Sequence, residues 1–421
     1  MKKVIHNIWQ NHHEKTLVFT DQAIVSGSNF VIGILISKAY GLFDLGVYAY
    51  AWMVLMMCSS LQQSYISIPM INEYAKKDID SKKEYLQQLF VMQLIVSSGM
   101  AMVCFTGIVF LQTFSFFESL KNLVYALPIL VFFYTLYDFF RRVYFLRGNL
   151  IKVLVLDTIT NWAQVGFIFS ITLCHQYSLS DMVYFFSGTY LLGFIFGTTE
   201  FFHFKHFKTS TFTLFKTHWK LTSWLLASAV LQWFAGNFFI ISAGSLLGNE
   251  AAGVVRIAQS IIGVLNVFFI ALEMYVPVKA AKLLALGGQK QLFKFTKKVF
   301  WVGLVVCSLF ALTIELTSSQ LLTWLYGIQY AQYGHIITMF AVFYIIVFTG
   351  YPLRFALRAL DNTKAMFFAY LLATIFSLLF SKSMINYWGI WGVLAGLAAS
   401  QIIMQLWYVK ELVWQPTKQI A

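Results

Sequence analysis

Apolar residues along the chain form long runs that are separated by short polar segments. A helix needs about 20 mostly apolar residues to cross the roughly 30 Å of a bilayer core, and twelve runs approach or exceed that length. The sequence therefore predicts twelve transmembrane helices, at approximately 17–40, 46–70, 89–113, 123–140, 153–174, 182–202, 221–247, 251–276, 299–317, 336–357, 366–380 and 388–412.

Composition agrees with a membrane protein. Of the 421 residues, 59% are hydrophobic and only 11% are charged, whereas soluble domains have about 25% charged residues. The net charge of +13 would suggest a nucleic-acid partner in a soluble protein. Here the positions of the basic residues give a different explanation, and we expect no nucleic-acid partner.

The lysines and arginines test the predicted topology, because they collect on the cytoplasmic side of membrane proteins. With the N-terminus in the cytoplasm, 26 of the 30 fall in cytoplasmic segments. Only Lys38, Lys121 and Lys382 fall outside, and Arg256 lies within a helix. We predict that both termini are cytoplasmic and that anionic lipids contact the basic cytoplasmic face.

The two halves of the chain share a weak internal repeat. Asn29 has its counterpart in Asn237, and Gly41 has its counterpart in Gly248. Six helices per half is an even number, so both halves enter the membrane in the same direction. Such a parallel repeat predicts a pseudo-two-fold axis along the membrane normal.

This repeat predicts three segments. Residues 1–204 would form an N-terminal six-helix lobe and residues 221–421 a C-terminal six-helix lobe. The basic, Phe-rich segment 205–220 would connect them on the cytoplasmic side. Two similar bundles of this kind predict a substrate cleft between them.

Several stretches resemble the polysaccharide transporter branch of the MOP superfamily, which includes the Wzx-type O-antigen and capsule flippases. The stretches are FTDQAIVSGSNF, GLFDLGVYAYAW, RRVYFLRGNLIK, LLTWLYGIQYAQYGHI and YPLRFALRALDNTK. The resemblance covers nearly the whole chain, although no single motif is diagnostic. It implies an all-α integral membrane protein with a MATE-like fold of two six-helix bundles.

The same resemblance implies a function. The chain would move undecaprenyl-diphosphate-linked oligosaccharide from the cytoplasmic to the outer leaflet of the bacterial inner membrane. It would work without a cofactor or metal, alongside a polysaccharide polymerase and chain-length proteins. The alternatives are a cation-coupled drug or metabolite exporter of the same superfamily and a polytopic enzyme of polysaccharide assembly.

Polar residues at membrane depth are costly and usually face a cavity or a neighbouring helix. We expect amides to bind sugar hydroxyls and arginines to bind the diphosphate through paired hydrogen bonds. Hydrogen bonding between helices is the alternative interpretation. The candidate cavity residues are Asp21, Gln22, Asn29, Asp157, Asn161, Gln164, Gln232, Asn237, Arg256, Gln259, Arg354 and Arg358. Asp21 is also the candidate for a carboxylate that couples transport to an ion.

Glycines at four-residue spacing occur in two predicted helices, as Gly193 and Gly197 in the sixth and as Gly392 and Gly396 in the twelfth. Small residues at this spacing let helix backbones approach closely. We predict that these positions serve packing within a lobe rather than dimerisation.

Overall fold

A computed structural model describes the backbone of residues 2–111, 120–174, 177–199 and 211–414. Within these ranges, side chains are described from Thr16 onward, apart from residues 79–80, 111, 174, 211–212, 221 and 414. This part of the chain is almost entirely helical. The helices are α1 (Lys2–Gln62), α2 (Ile68–Tyr74), α3 (Ile79–Leu111), α4 (Ala126–Leu146), α5 (Leu150–Cys174), α6 (Leu179–Thr198), α7 (Thr211–Leu247), α8 (Asn249–Ile262), α9 (Leu265–Leu325), α10 (Gly334–Ala359), α11 (Thr363–Trp388) and α12 (Ile390–Trp414).

Two of these helices are too long for one membrane crossing. A straight helix of 61 residues would measure about 90 Å, which is three times the bilayer core. Both are interrupted by glycine: α1 at Gly41 (φ 83°, ψ −174°) and α9 at Gly287 and Gly288. The break at Gly41 separates the first two predicted helices, and the break in α9 separates the eighth from the ninth.

The predicted eighth helix, 251–276, is not continuous. It is divided into α8 and the first part of α9 by a turn at Gly263 and Val264. Glycine is a poor helix former, and the amide of Gly263 still donates to the carbonyl of Gln259 at 2.8 Å. The predicted eighth helix is therefore present but is interrupted once, at this turn.

Nine helices in the described part of the chain are long and apolar enough to cross a membrane. Helix α4 is not among these nine, and it carries Asp138, Arg141 and Arg142 in its second half. The all-α, membrane-spanning fold class is confirmed.

The chain divides into two compact units, Met1–Val230 and Leu231–Ala421, which we call the N-terminal unit and the C-terminal unit. Part of the predicted connector, 205–210, lies outside the described residues, and 211–220 form the start of α7. The lobe boundaries at 204 and 221 and the symmetry axis stay predictions.

In the N-terminal unit, small residues let α6 pack closely on α4. A Cβ atom at Gly193 would lie 2.6 Å from the Tyr137 ring, and one at Gly197 would lie 2.3 Å from the Phe140 ring. In the C-terminal unit, a Cβ atom at Gly396 of α12 would lie 2.0 Å from the Phe239 ring of α7. These contacts confirm that glycines of both motifs serve packing within a unit.

The repeat is visible in the backbone turns. Gly41 and Gly248 both adopt positive φ, at 83° and 94°, as expected for counterparts. The turn between α4 and α5 contains Gly148 (φ 73°), and the turn between α10 and α11 contains Asp361 (φ 55°). These two turns therefore mark equivalent points in the two units.

Candidate functional site

The most strongly charged cluster described inside the helices lies in the N-terminal unit and joins α1, α4 and α5. Arg141 of α4 donates from Nε to Asp157 Oδ2 of α5 at 2.5 Å and from Nη2 to Asp21 Oδ2 of α1 at 2.8 Å. Asp157 and Asp21 are 0% and 3% exposed. One guanidinium therefore binds two buried carboxylates, and the three side chains come from three different helices.

Neighbouring polar groups complete the hydrogen bonds of Asp157. The hydroxyl of Tyr137, one turn before Arg141 on α4, donates to Asp157 Oδ1. Asn161 donates its amide to the backbone carbonyl of Asp157 at 2.7 Å. Because charge-assisted bonds are stronger than neutral ones, this carboxylate is firmly positioned by its partners.

Asp21 is bound less completely. Its Oδ2 atom accepts from Arg141, but Oδ1 is buried and has no hydrogen-bond partner among the described residues. With both carboxylates ionised, the two acids and Arg141 carry a net charge of about −1. The open oxygen of Asp21 is therefore the point where this cluster could receive a proton or another donor.

The remaining candidates of the N-terminal unit are bound within helices or between them. Gln164 donates to Thr189 Oγ1 of α6 at 2.8 Å, and Gln22 donates to Ser26 Oγ at 3.0 Å. Asn29 is partly buried on α1. For Gln164, the observed contact matches the alternative interpretation, hydrogen bonding between helices.

Sequence reasoning missed the two residues that organise this cluster. Arg141 lies near the end of a predicted helix and was assigned to the basic cytoplasmic face, and Tyr137 is one of 22 tyrosines. A signal was nevertheless present, because Tyr137 and Arg141 are four residues apart and therefore lie on the same face of α4. A buried carboxylate on a neighbouring helix requires such a partner.

The C-terminal unit has an arginine at the position equivalent to Arg141. Arg354 lies seven residues before Asp361, just as Arg141 lies seven residues before Gly148. The turn geometry therefore pairs Arg354 with Arg141.

The surroundings of the two equivalent arginines differ. By the same turn offsets, the positions of Asp157 and Asp21 are occupied by Tyr370 and Ser228 in the second half of the sequence. Arg354 is partly buried and lies 4.2 Å from the centre of the Tyr351 ring. Among the described residues, it has no ion-pair partner. Its charge is therefore not neutralised by a carboxylate as that of Arg141 is.

The other candidates of the C-terminal unit are scattered. Arg358 and Gln232 are exposed, and Asn237 donates to the backbone carbonyl of Trp233 at 2.9 Å. Arg256 is partly buried on α8. These four residues do not form one cluster with Arg354 through any contact described here.

A cavity of about 210 Å³ lies within the C-terminal unit. Residues of α7, α8, α9, α10 and α12 line it, including the candidate Gln259. Asn266 of α9, a further carboxamide, lines the cavity as well. The predicted role of Gln259 as a cavity residue thus has a defined location, while its ligand stays a prediction.

A histidine fixes the start of α7 to the N-terminal unit, outside the membrane-spanning segments. His218 is fully buried. Its Nδ1 atom lies 2.9 Å from the carbonyl of Tyr65, which belongs to the π-helical turn Gln63–Ser67. Burial disfavours the charged ring and lowers the pKa of His218 below its ordinary value.

The described part of the chain contains no group of three or more His, Cys, Asp or Glu residues that could hold a metal ion. The N-terminal unit has a buried ion-pair cluster. The C-terminal unit has Arg354 and a cavity lined by polar and aromatic residues. Such an arrangement can bind and position a ligand.

No family model matches the chain, and no curated protein matches it. Solved structures are similar to it in fold. A multidrug resistance MATE family transporter of the MOP superfamily, in an inward-facing conformation, aligns with a TM-score of 0.73 and 13% identity over 93% of this chain and 94% of its own. The lipid II flippase MurJ, in an inward closed conformation, aligns with a TM-score of 0.70 and 13% identity over 95% of this chain and 88% of its own.

A MOP superfamily transporter from Pyrococcus furiosus Vc1 also aligns, with a TM-score of 0.61 and 13% identity over 95% of this chain and 96% of its own. All three are transporters or flippases. The chain therefore has the fold of MOP superfamily transporters, as the resemblance in the sequence implied. At 13% identity the likeness concerns the fold alone.

Proposed function

We propose that this protein is a flippase that moves undecaprenyl-diphosphate-linked oligosaccharide from the cytoplasmic to the outer leaflet of the bacterial inner membrane. It would act by alternating access in the biosynthesis of a surface polysaccharide such as O-antigen or capsule. The resemblance of its sequence stretches to the polysaccharide transporter branch supports this proposal. So does the likeness of its fold to a lipid II flippase.

The observation that carries the proposal is the contrast between Arg141 and Arg354. Arg141 is bound by two carboxylates, whereas Arg354 has no ion-pair partner among the described residues and stacks on Tyr351. A partly buried guanidinium is costly unless an anion accompanies it. The planar guanidinium suits a diphosphate, because it can donate two parallel hydrogen bonds to phosphate oxygens.

The depth of Arg354 also fits a lipid diphosphate. It lies five residues before the end of α10, which corresponds to about 8 Å along the helix axis. The predicted topology places this end on the cytoplasmic side, where the lipid-linked substrate is made. Arg354 would therefore meet the diphosphate at the level of the lipid headgroups.

The proposal is tested by deleting the gene and measuring lipid-linked repeat units on the cytoplasmic leaflet. We expect these units to accumulate and surface polysaccharide to disappear. Complementation with Arg354→Ala should fail, while Arg354→Lys should restore partial export because it keeps the charge but not the paired hydrogen bonds. Lys364→Ala is the matched control, since it removes an exposed cation beyond the same helix end and should export normally.

A different phenotype of the deletion strain would contradict the flippase proposal. Normal surface polysaccharide in the deletion strain, together with altered drug sensitivity, would refute the flippase proposal. It would favour the second candidate function, a cation-coupled exporter of drugs or metabolites.

One observation favours that second candidate. Asp21 Oδ1 is buried without a hydrogen-bond partner among the described residues, as a carboxylate that accepts a coupling proton would require. In that case Asp21→Asn should abolish drug export while the protein remains in the membrane. Under the flippase proposal, the loss of drug resistance should not occur, because no drug is exported.

A further inference from the structure

The cavity of the C-terminal unit has a lining of unusual chemistry for a membrane protein. Three carboxamides line it, Gln259 of α8, Asn266 of α9 and Gln401 of α12, together with the phenol rings of Tyr344 and Tyr351. The other lining residues described are apolar, and no charged side chain is among them. A ligand for this space is therefore polar but uncharged.

The three carboxamides are available to a ligand. Among the described residues, their side chains take part in no hydrogen bond with the rest of the protein. Each carboxamide offers both donors and an acceptor. This combination suits hydroxyl groups, which also donate and accept, better than it suits a cation or an anion.

Aromatic rings form a continuous wall of the same cavity. The Phe269 ring stacks on Tyr351 with 4.9 Å between ring centres and an interplanar angle of 27°, and it lies 6.2 Å from Tyr344 at an angle of 11°. Phe269 is only 4% exposed, and the Arg354 guanidinium lies 4.2 Å from the centre of the Tyr351 ring, so these packed rings form an apolar wall rather than a free stacking face. An apolar face beside hydrogen-bonding groups is the surface that a sugar ring presents to a protein.

The cavity lies near the middle of the membrane. Gln259 and Tyr344 are each ten residues from the starts of α8 and α10, and Gln401 is eleven residues from the start of α12. At 1.5 Å per residue, each lies about 15 Å along its helix, which is half of the roughly 30 Å bilayer core. A headgroup that crosses the bilayer must pass this level.

We propose that this cavity is a binding subsite for one uncharged sugar ring, held by hydrogen bonds to the three carboxamides beside the apolar wall that includes Phe269 and Tyr351. The proposal rests on the proposed function, because it assigns the sugar part of the same lipid-linked substrate. The volume of about 210 Å³ is below the 300–1,000 Å³ of sites for drug-sized ligands. The subsite therefore takes one ring, and the rest of the oligosaccharide lies outside it.

The test measures binding to the full chain in lipid nanodiscs, without transport. Saturation-transfer NMR is recorded with methyl glycosides of hexoses, 6-deoxyhexoses and N-acetylhexosamines, with inorganic pyrophosphate and with tetraphenylphosphonium. We expect transfer to at least one glycoside, strongest at the ring C–H protons that face the aromatic wall.

Two cavity variants and one control identify the site. Asn266→Leu keeps the shape of the side chain but removes its hydrogen bonds, and Gln401→Leu removes those of a second carboxamide that lines the cavity. Each should weaken glycoside binding roughly tenfold, the effect of losing one hydrogen bond. Gln332→Ala removes an exposed carboxamide outside the cavity and should bind as the unchanged protein does.

The outcomes separate this proposal from the proposed function. If no glycoside binds, or if both cavity variants bind normally, the subsite is refuted even when the deletion strain accumulates lipid-linked units. Tetraphenylphosphonium binding without glycoside binding also refutes it. Glycoside binding that is lost in both variants supports the subsite, even if the deletion strain exports polysaccharide normally and the flippase proposal fails.

Discussion

Replacement of Arg141 by methionine should strongly destabilise the N-terminal unit. The change removes the only guanidinium that contacts both Asp21 and Asp157 in the described structure, at 2.8 and 2.5 Å. Both carboxylates are almost fully buried, so neither recovers its lost hydrogen bonds from water.

The size of this effect follows from the geometry. Removing one partner of a buried ion pair costs about 3–5 kcal/mol, because the remaining charge is left uncompensated. Two carboxylates share this arginine, but a buried acid can take up a proton instead of staying charged. Protonation of one acid therefore limits the cost, and we expect the free energy of unfolding to fall by about 3–5 kcal/mol rather than by twice that amount.

The assay is reversible unfolding of the purified protein in detergent micelles, followed by circular dichroism. The triple variant Asp21→Asn, Asp157→Asn, Arg141→Met removes all three charges and should recover most of the lost stability. Lys76→Met is the surface control. Its ion pair with Glu73 joins side chains that are 67% and 31% exposed, so the expected change is below about 1 kcal/mol.

The reasoning would be refuted if Arg141→Met unfolded like the unchanged protein. It would also be refuted if the triple variant were less stable than Arg141→Met alone. Either result would mean that the buried carboxylates do not depend on Arg141 for their charge compensation.

Three further predictions concern stability, each measured by thermal unfolding in detergent. Burial lowers the pKa of His218 below 6.5, so near and below that pH the folded chain binds fewer protons than the unfolded chain. The free energy of unfolding should therefore fall from about pH 7 to about pH 5, and His218→Gln should flatten this dependence. Gly41→Ala should lower the free energy of unfolding by about 1–2 kcal/mol, because the φ angle of Gly41 is 83°. Gly166→Ala is the control: it lies in a helix with open space at Cβ and should be neutral or stabilise by up to about 1 kcal/mol. Gly303→Ala should cost about 1–3 kcal/mol, because the new Cβ would lie 2.0 Å from the Phe348 ring; an unchanged melting temperature would contradict the close packing of these helices.

Much of the fold was predictable because a membrane imposes strict rules on a sequence. Backbone groups in lipid must pair within their own segment, so a long apolar run is a helix. The break at Gly41 was predictable because 61 helical residues exceed the bilayer thickness. The repeat predicted the matching break at Gly248, and both glycines adopt positive φ.

The interruption at Gly263 could not be located in the same way. A single glycine inside a helical pattern is tolerated at a cost of about 1 kcal/mol relative to alanine, so its presence does not decide whether the helix continues. The same limit applies to Phe239, which lies in the space left by Gly396 although the two residues are far apart in the sequence.

The candidate site was predicted in part. Asp157, Asn161 and Gln164 are spaced at i, i+4 and i+7, which places them on one face of a helix, and all three are buried. Their partners were not predicted, because helix periodicity gives the direction of a side chain but not the helix that it meets. Asp157 contacts Arg141 of α4, and Gln164 contacts Thr189 of α6.

By itself, the sequence determined that this protein spans a membrane, where most of its helices lie and which types of polar residue they carry. These properties follow from local composition and spacing, which the bilayer selects directly. The tertiary structure alone decided which charges are neutralised. Arg141 and Arg354 occupy equivalent positions in the repeat, but among the described residues only Arg141 forms ion pairs with carboxylates on neighbouring helices. Because electrostatic interactions depend on distances between helices, no pattern along one helix could distinguish the two arginines.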